Sequence, residues 1–189
     1  IFDELKLRVS YGINGNQAVS PYSSLTTLKS MDYVTGSSNL AGYIPGTLGQ
    51  DNLGWESSRT INAGLEFSIF KSRITGDINF YKTKTSDLLL DRSISPVHGI
   101  SSITQNIGKT ENRGLELGFN SRNISSGNFH WSTSGNLSFV KNKITSLYGI
   151  LDNEQKEIDD VSNGWFIGQS IRVAYGYKRI GTWQLNEAN

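Results

Sequence analysis

Apolar and polar residues alternate with period two along five stretches of this chain. The first places Leu5, Leu7, Val9 and Tyr11 on one face and Lys6, Arg8 and Ser10 on the other. The second sets Ile61, Ala63, Leu65, Phe67 and Ile69 against Thr60, Asn62, Gly64, Glu66 and Ser68. In the third, Ile74, Gly76, Ile78 and Phe80 oppose Thr75, Asp77, Asn79, Tyr81 and Thr83. The fourth opposes Leu115, Leu117 and Phe119 to Gly114, Glu116, Gly118 and Asn120. The fifth opposes Phe129, Trp131, Thr133, Leu137 and Phe139 to His130, Ser132, Ser134, Asn136 and Ser138. Successive side chains of a strand point to opposite faces, so each stretch predicts a strand with one apolar and one polar face.

The connections alternate in length. A Gly/Ser/Asn-rich stretch over roughly 13–55 separates the first two strands, and a tight turn near Lys71-Ser72 joins the second and third. Another long link, about 91–110, precedes the fourth strand, and a short turn around Ser125-Ser126-Gly127 leads to the fifth. A long polar segment begins near 148. Short turns on one side and long loops on the other are the pattern of outer-membrane barrels, and each run has about the ~9–11 residues that a tilted spanning strand needs. Several runs are longer and predict strands that project past the bilayer. Strand one then rises from the periplasm, strands two and four descend, and three and five rise. Aromatics near strand ends (Tyr11, Phe70, Tyr81, Phe129, Trp131) fit an interfacial girdle. A soluble antiparallel β-sandwich alternates in the same way, so periodicity alone leaves both architectures open.

Composition narrows the chemistry more than the fold. The 189 residues include 20 Gly, 3 Pro and 11% aromatics, which favours β structure with many turns. The mean hydropathy of −0.37 is compatible with a barrel, because half the positions of a barrel strand face water. No apolar run reaches the ~20 residues of a transmembrane helix. A net charge of +1 gives no electrostatic case for nucleic acid. With no Cys there is no disulfide, zinc thiolate or thiol nucleophile. The first residue is Ile1, and no charged stretch followed by an apolar one marks a signal peptide, so a fragment or processed product is expected.

No catalytic, cofactor-binding or metal-binding residue is assigned, and no cofactor is expected. His98 and His130 lack a second ligand at metal spacing. Ser138-Phe139-Val140-Lys141 fits S-x-x-K without its companion motifs. Asp152, Glu154, Glu157, Asp159 and Asp160 could offer oxygens to calcium but lack EF-hand spacing, so a solvated loop is expected over 152–160. Loop aromatics Tyr22, Tyr33, Tyr43 and Trp55 could stack on sugars or peptide side chains. Packing is the reading for Trp55, and the others stay open. Asn123-Ile124-Ser125 and Asn136-Leu137-Ser138 fit the glycosylation pattern, which carries no meaning in a bacterial outer membrane.

An ordered series of blocks resembles the C-terminal barrel of SusC-like, RagA-like TonB-linked outer-membrane transporters. They are Tyr11-Gly12-Ile13-Asn14-Gly15-Asn16-Gln17, Asn52-Leu53-Gly54-Trp55-Glu56, and Asn62 to Phe67 with Arg73 to Lys82, closed by Asp87-Leu88-Leu89-Leu90. Asn106 to Leu117 is similar to the family's Asn-x-Gly-x-x-x-Asn-x-Gly-x-Glu segment, and Trp131 to Asn142 to its next strand. Ile167-Gly168-Gln169-Ser170, Tyr175 to Lys178 and Gly181-Thr182-Trp183-Gln184 match a further block. Ile13 and Gly54 stand where the family pattern is more polar.

The resemblance implies an all-β chain, an antiparallel transmembrane portion of a larger plugged barrel with about five spanning strands and long outer loops. Residues 1–189 would then belong to one TonB-dependent-receptor β-barrel domain, with the plug, the TonB-binding segment and the terminal strands not among them. It further implies an importer of oligosaccharides or peptides in the outer membrane of a Gram-negative, Bacteroidetes-like bacterium. The partners so implied are outer-membrane lipid, a SusD-like surface lipoprotein, TonB acting through the plug, and a glycan or peptide cargo. The substrate-binding residues and the cargo stay unknown. Gly114 and Gly118, on the face that would line the lumen, leave room for a plug or for neighbouring side chains. Two rivals make different demands. A soluble β-sandwich carbohydrate-binding module needs its apolar faces to meet in a core. An outer-membrane enzyme barrel needs a convergent His/Ser/Asp set at the outer rim.

Overall fold

The structure is a computed structural model that describes residues 2–17, 21–95, 97, 99–179 and 181. Five long strands make one antiparallel sheet: β1 (Phe2–Asn16), β4 (Glu56–Ile69), β5 (Ile74–Ser86), β8 (Lys109–Ser126) and β9 (Phe129–Ser146), in the order β1-β4-β5-β8-β9. These are the five alternating runs of the sequence, each extended at one end or both. β8 and β9 have 18 residues each, more than a tilted strand needs to cross a bilayer.

Register converts the five separate patterns into two continuous faces. Leu7, Leu65, Ile78, Leu117 and Leu137 are paired in one row across the sheet, and Val9, Ala63, Phe80, Leu115 and Phe139 in the next. The opposite face carries Arg8, Gly64, Asn79, Glu116 and Ser138 in a single row. A slip of one residue in any pair would exchange the faces of that strand, so the alternation itself fixes the register.

A third row on the apolar face reads Leu5, Phe67, Gly76, Phe119 and Gly135. Phe67 covers Gly76, where an added Cβ would lie 2.5 Å from the ring, and Phe119 covers Gly135 at 2.6 Å. Each ring thus spreads over the neighbouring strand in space that only glycine leaves open, a known device for restoring packing at a strand glycine.

Both short connections are present, the second shifted from the expected Ser125-Ser126-Gly127 because Ser125 and Ser126 continue β8. Residues 70–73 turn β4 into β5, and Gly127-Asn128 turn β8 into β9. In the first, Phe70, Lys71 and Ser72 all adopt positive φ, 57°, 58° and 56°. The turn is tied from both sides: Ser72 N donates to Asp3 Oδ2 of β1 at 2.8 Å, and Arg122 Nη2 of β8 donates to Ser72 O at 2.8 Å.

Both long connections contain structure where loops were expected. The stretch over 13–55 holds a hairpin, β2 (Thr27–Thr35) and β3 (Ser38–Thr47), while β1 continues to Asn16. The link over 91–110 contains β6 (Leu89–Ser93) paired with β7 (Ser102–Asn106), and β8 already begins at Lys109. Leu89 and Leu90 therefore open a second hairpin and do not end the β4–β5 pair. Leu28, Ser30, Asp32 and Val34 alternate with Lys29, Met31 and Tyr33, so neither face of β2 is apolar, and every residue of it is exposed. Both inserted hairpins project from the same end of the sheet, opposite the short turns.

The apolar face has no second sheet against it among the described residues. Leu7 is 73% exposed, Val9 71% and Phe139 57%. The buried hydrophobic residues described are Ile100, Ile144 and Leu147, which lie elsewhere. This corrects the β-sandwich alternative, which requires that face to pack into a core.

Candidate functional site

The polar face carries a connected network near the middle of the sheet. Glu66 of β4 receives Arg8 Nη2 at 2.9 Å and Lys6 Nζ at 3.6 Å, both from β1. Arg8 also donates to Asn79 Oδ1 of β5 at 3.3 Å, and Asn79 Nδ2 donates to Asp77 Oδ2 at 2.8 Å. Hydroxyl pairs continue the face towards the long-loop end, Thr60 with Thr83 at 2.9 Å and Ser58 with Thr85 at 2.8 Å. Gly114 and Gly118 lie in this face beneath the side chains of Tyr81 and Asp77. The space they leave is filled by neighbouring side chains, as expected. Tyr81 therefore belongs to the polar face, which corrects its assignment to an interfacial girdle.

At the long-loop end, two residues tie the β6–β7 hairpin to the sheet and to the segments that lead into it. Asn106 Oδ1 accepts from Gly54 N at 2.5 Å, while its Nδ2 donates to Gly54 O at 2.8 Å and Asp87 O at 2.9 Å. Glu56 accepts from Asn16 Nδ2 at 2.9 Å and from Leu89 N at 3.1 Å. The sequence blocks contain both residues, but strand patterning gave no signal of these roles, since the partners are 19 to 52 positions away for Asn106.

The loop aromatics separate into two groups. Tyr22 and Trp55 line one cleft of about 320 Å³ together with Gln17, Pro21 and Leu53. The Trp55 ring also covers Gly15, with 2.7 Å to an added Cβ, as the packing reading expects. Tyr33 lies over Gly42 within the β2–β3 hairpin, whereas Tyr43 pairs with Ser30 on the opposite face. A larger cleft of about 540 Å³ opens between the two hairpins, lined by Lys29, Pro45, Leu48, Asp91, Ile100 and Thr104 among others.

The acidic segment is committed to its own loop. Glu157 Oε1 accepts from Leu147 N at 2.6 Å, Gly149 N at 2.7 Å and Ser146 Oγ at 3.2 Å. Burial opposes its charge, but the amide donors of Gly149 and Leu147 outweigh burial and lower its pKa. Asp160 behaves alike. Burial would raise its pKa, yet donors from Ser162, Tyr148 and Asn163 bring it to about 2. Burial and the Asp160 carboxylate push the Tyr148 phenol up to about 12. Asp152 Oδ1 accepts from the amides of Glu154 and Lys156, and Asp159 Oδ1 from Ile167 N. Among the described residues no three His, Cys, Asp or Glu side chains form a group that could hold a metal ion. Segment 167–171 then lies along β9, with Gly168 N donating to Ile144 O at 2.8 Å and Asn142 Oδ1 accepting from Ser170 Oγ at 2.6 Å.

The remaining candidates are not brought together. Ser138 and Lys141 are three apart on a strand and face opposite ways, paired with Glu116 and Arg113 respectively. His130 pairs with Ser125 Oγ at 3.0 Å near the short Gly127-Asn128 turn. His98 and Thr182-Trp183-Gln184 lie outside the described residues.

The sequence model of the family described as TonB dependent receptor-like, beta-barrel matches residues 1–186. The chain belongs to this family. It is 37% identical over 190 residues to TonB-dependent receptor P26 of Formosa agariphila, covering 98% of this chain and 19% of that protein. It is 35% identical over 160 residues to TonB-dependent receptor SusC of Bacteroides thetaiotaomicron, covering 82% of this chain and 16% of that one. A solved structure of the RagAB peptide importer in its open-open state superposes with a TM-score of 0.72 at 26% identity, over 89% of this chain and 18% of that chain. The chain thus spans about a fifth or less of the length of the relatives it matches, and it is SusC-like.

In a TonB-dependent receptor-like barrel the two faces have definite surroundings. An apolar wall face such as the Leu/Phe face is suited to lipid, and a polar one such as the Arg8–Glu66–Asn79 face to a wet interior, where charges are tolerated. The sheet is open here: β1 and β9 each have one edge without a partner strand among the described residues. Backbone groups in lipid must be paired, so a spanning sheet of this kind functions as part of a closed barrel.

Proposed function

We propose that this chain forms part of the barrel wall of a TonB-dependent outer-membrane importer of oligosaccharides or peptides, working with a SusD-like surface lipoprotein. The observation that carries the reading is the continuous five-strand wall, with a lipid-facing apolar band and structured hairpins only on the long-loop side. The relative named SusC and the RagAB peptide importer support it. Residues 1–189 are one part of a barrel domain, and the plug through which TonB acts lies elsewhere in the whole protein. The chain sits in the outer membrane of a Bacteroidetes-like bacterium. Its role is passage and gating, with no bond chemistry assigned to it.

Cargo reaches the barrel past the β2–β3 and β6–β7 hairpins. Tyr22 and Trp55 there offer apolar ring surface beside the polar Gln17, a combination suited to sugar rings or peptide side chains. The test uses the full-length protein in its native host. Outer membranes are extracted in mild detergent, the protein is purified through a tag, and co-purifying proteins are identified by mass spectrometry. Recovery from the outer membrane with a surface lipoprotein is expected. Recovery in the soluble fraction without a partner overturns the reading.

A further inference from the structure

On β5, β8 and β9 the apolar face gives way to a row of cations. One row above Val9, Ala63, Phe80, Leu115 and Phe139 come Tyr11, Ile61, Lys82, Arg113 and Lys141, paired in register. The next row holds Ile13, Arg59, Lys84, Glu111 and Lys143. Glu111 is the carboxylate of this patch that is ion-paired, to Lys82 at 3.1 Å and to Lys143 at 3.7 Å. Arg59, Lys84, Arg113 and Lys141 are exposed; Lys84 also lies within electrostatic reach of Glu111, whereas among the described residues no salt bridge or hydrogen bond engages the side chains of Arg59, Arg113 and Lys141. Glu111 offsets Lys82, which leaves Arg113 and Lys141 opposite one another as like charges on adjacent strands; such a pair costs stability unless a further anion lies beside it.

The cations are confined to one side of the sheet. At the same height the interior face carries Gly12, Thr60, Thr83, Asn112 and Asn142, all neutral. At the short-turn end the lipid-facing side closes with Ile124 paired to Trp131, and no comparable row of charge. The patch also has depth. A cleft of about 470 Å³ is lined by Arg59, Lys84 and Lys109 with the hydroxyls of Ser86, Thr110 and Thr145, and by Glu111 and Asp87. Asp87 accepts from Ser86 Oγ, and Glu111 is shared between its two lysines.

We propose that this patch binds the phosphate-bearing headgroup of an outer-leaflet glycolipid, resting on the outer-membrane reading above. The apolar band meets the acyl chains. Lys82, Arg113 and Lys141 stand at headgroup height, where a lipid-facing cation costs little and can pair with phosphate. The cleft beyond them, towards the long-loop end, receives further headgroup oxygens through its hydroxyls and guanidinium.

The test uses the full-length protein in detergent, titrated with diphosphorylated lipid A and, separately, with dephosphorylated lipid A, and read by native mass spectrometry. The wild type is expected to retain the phosphorylated lipid preferentially. A Lys82→Gln/Arg113→Gln/Lys141→Gln variant should bind it roughly a hundredfold more weakly. A Lys82→Arg/Lys141→Arg variant keeps the charge and should keep binding, and Lys6→Gln on the interior face should have no effect. Heat-dependent migration in detergent gels reports whether each variant is folded. Equal retention of the two lipids, undiminished binding by the triple variant, or displacement of lipid by millimolar inorganic phosphate overturns the proposal. Failure of the protein to reach the outer membrane defeats the membrane reading itself, whereas correct localisation without phosphate selectivity defeats the headgroup site alone.

Discussion

The ring of Phe67 lies flat across Gly76 on the neighbouring strand, so that an added Cβ there would fall 2.5 Å from the ring. The two residues are paired in register on the apolar side of the sheet. Gly76→Val should therefore displace the ring and destabilise the barrel by about 1–3 kcal/mol, the usual cost of overpacking. Phe67→Ala combined with Gly76→Val should recover part of that loss. Urea midpoints of the full-length protein in detergent measure both.

The turn between β4 and β5 makes an opposite prediction. Lys71 is held at φ 58° between two residues that are also left-handed. A side chain of ordinary type costs ~1–2 kcal/mol there, and asparagine tolerates the region better. Lys71→Asn should raise stability by up to about 1 kcal/mol, while Asp3→Ala, which removes the acceptor for Ser72 N, should lower it. The same urea midpoints decide the sign.

Glu66 faces two cations, yet its side chain is 37% exposed, as are those cations to a greater degree. Solvent screens such a pair, so Glu66→Gln should change stability by no more than about 1 kcal/mol. A double-mutant cycle with Arg8→Gln isolates the coupling. A coupling well beyond that size would mean that the interior is drier at this height than the open polar face implies.

Loop 148–170 should loosen at both extremes of pH. The Asp160 carboxyl, near 2 when folded against an ordinary 3.8, favours the charged form. Its contribution is present above about 4 and is lost as pH falls towards 2, with Glu157 acting in the same direction. Tyr148 titrates near 12 against an ordinary 10.0, so its contribution is present below 10.0 and lost as pH rises through 12. Amide exchange of Asn163 and Gly149, corrected for intrinsic rates, should show both limbs. EDTA at neutral pH should leave that exchange unchanged, since the carboxylates serve amides and hydroxyls of the loop.

What could be read from the chain in advance was the wall. Ile61 to Ile69 or Phe129 to Phe139 alternate cleanly because one side of the sheet is apolar and the other polar, and that contrast is written in residue type. The β2–β3 hairpin has no such contrast, since Lys29 and Met31 share a face and both sides are exposed, so its strands stayed hidden in a polar stretch. Tyr81 carries two signals that conflict: an aromatic near a strand end suggests an interface, but its parity with Asp77 and Asn79 puts it on the polar face, and the register follows the parity. The row of Lys82, Arg113 and Lys141 was invisible because it exists only across strands. Each cation is unremarkable in its own segment, and register alone brings them together.

The central claim is that the Leu115, Leu117 and Phe119 side of the sheet meets lipid while Glu116 and Gly118 meet water. Spin labels placed one at a time at positions 114–119 of the full-length protein, freed of other cysteines and reconstituted in bilayers, test it directly. Collisions with oxygen, which concentrates in lipid, should dominate at 115, 117 and 119, and collisions with a water-soluble nickel chelate at 114, 116 and 118. Labels at 115, 117 and 119 that are shielded from both reagents would place that face against a protein core and contradict the account.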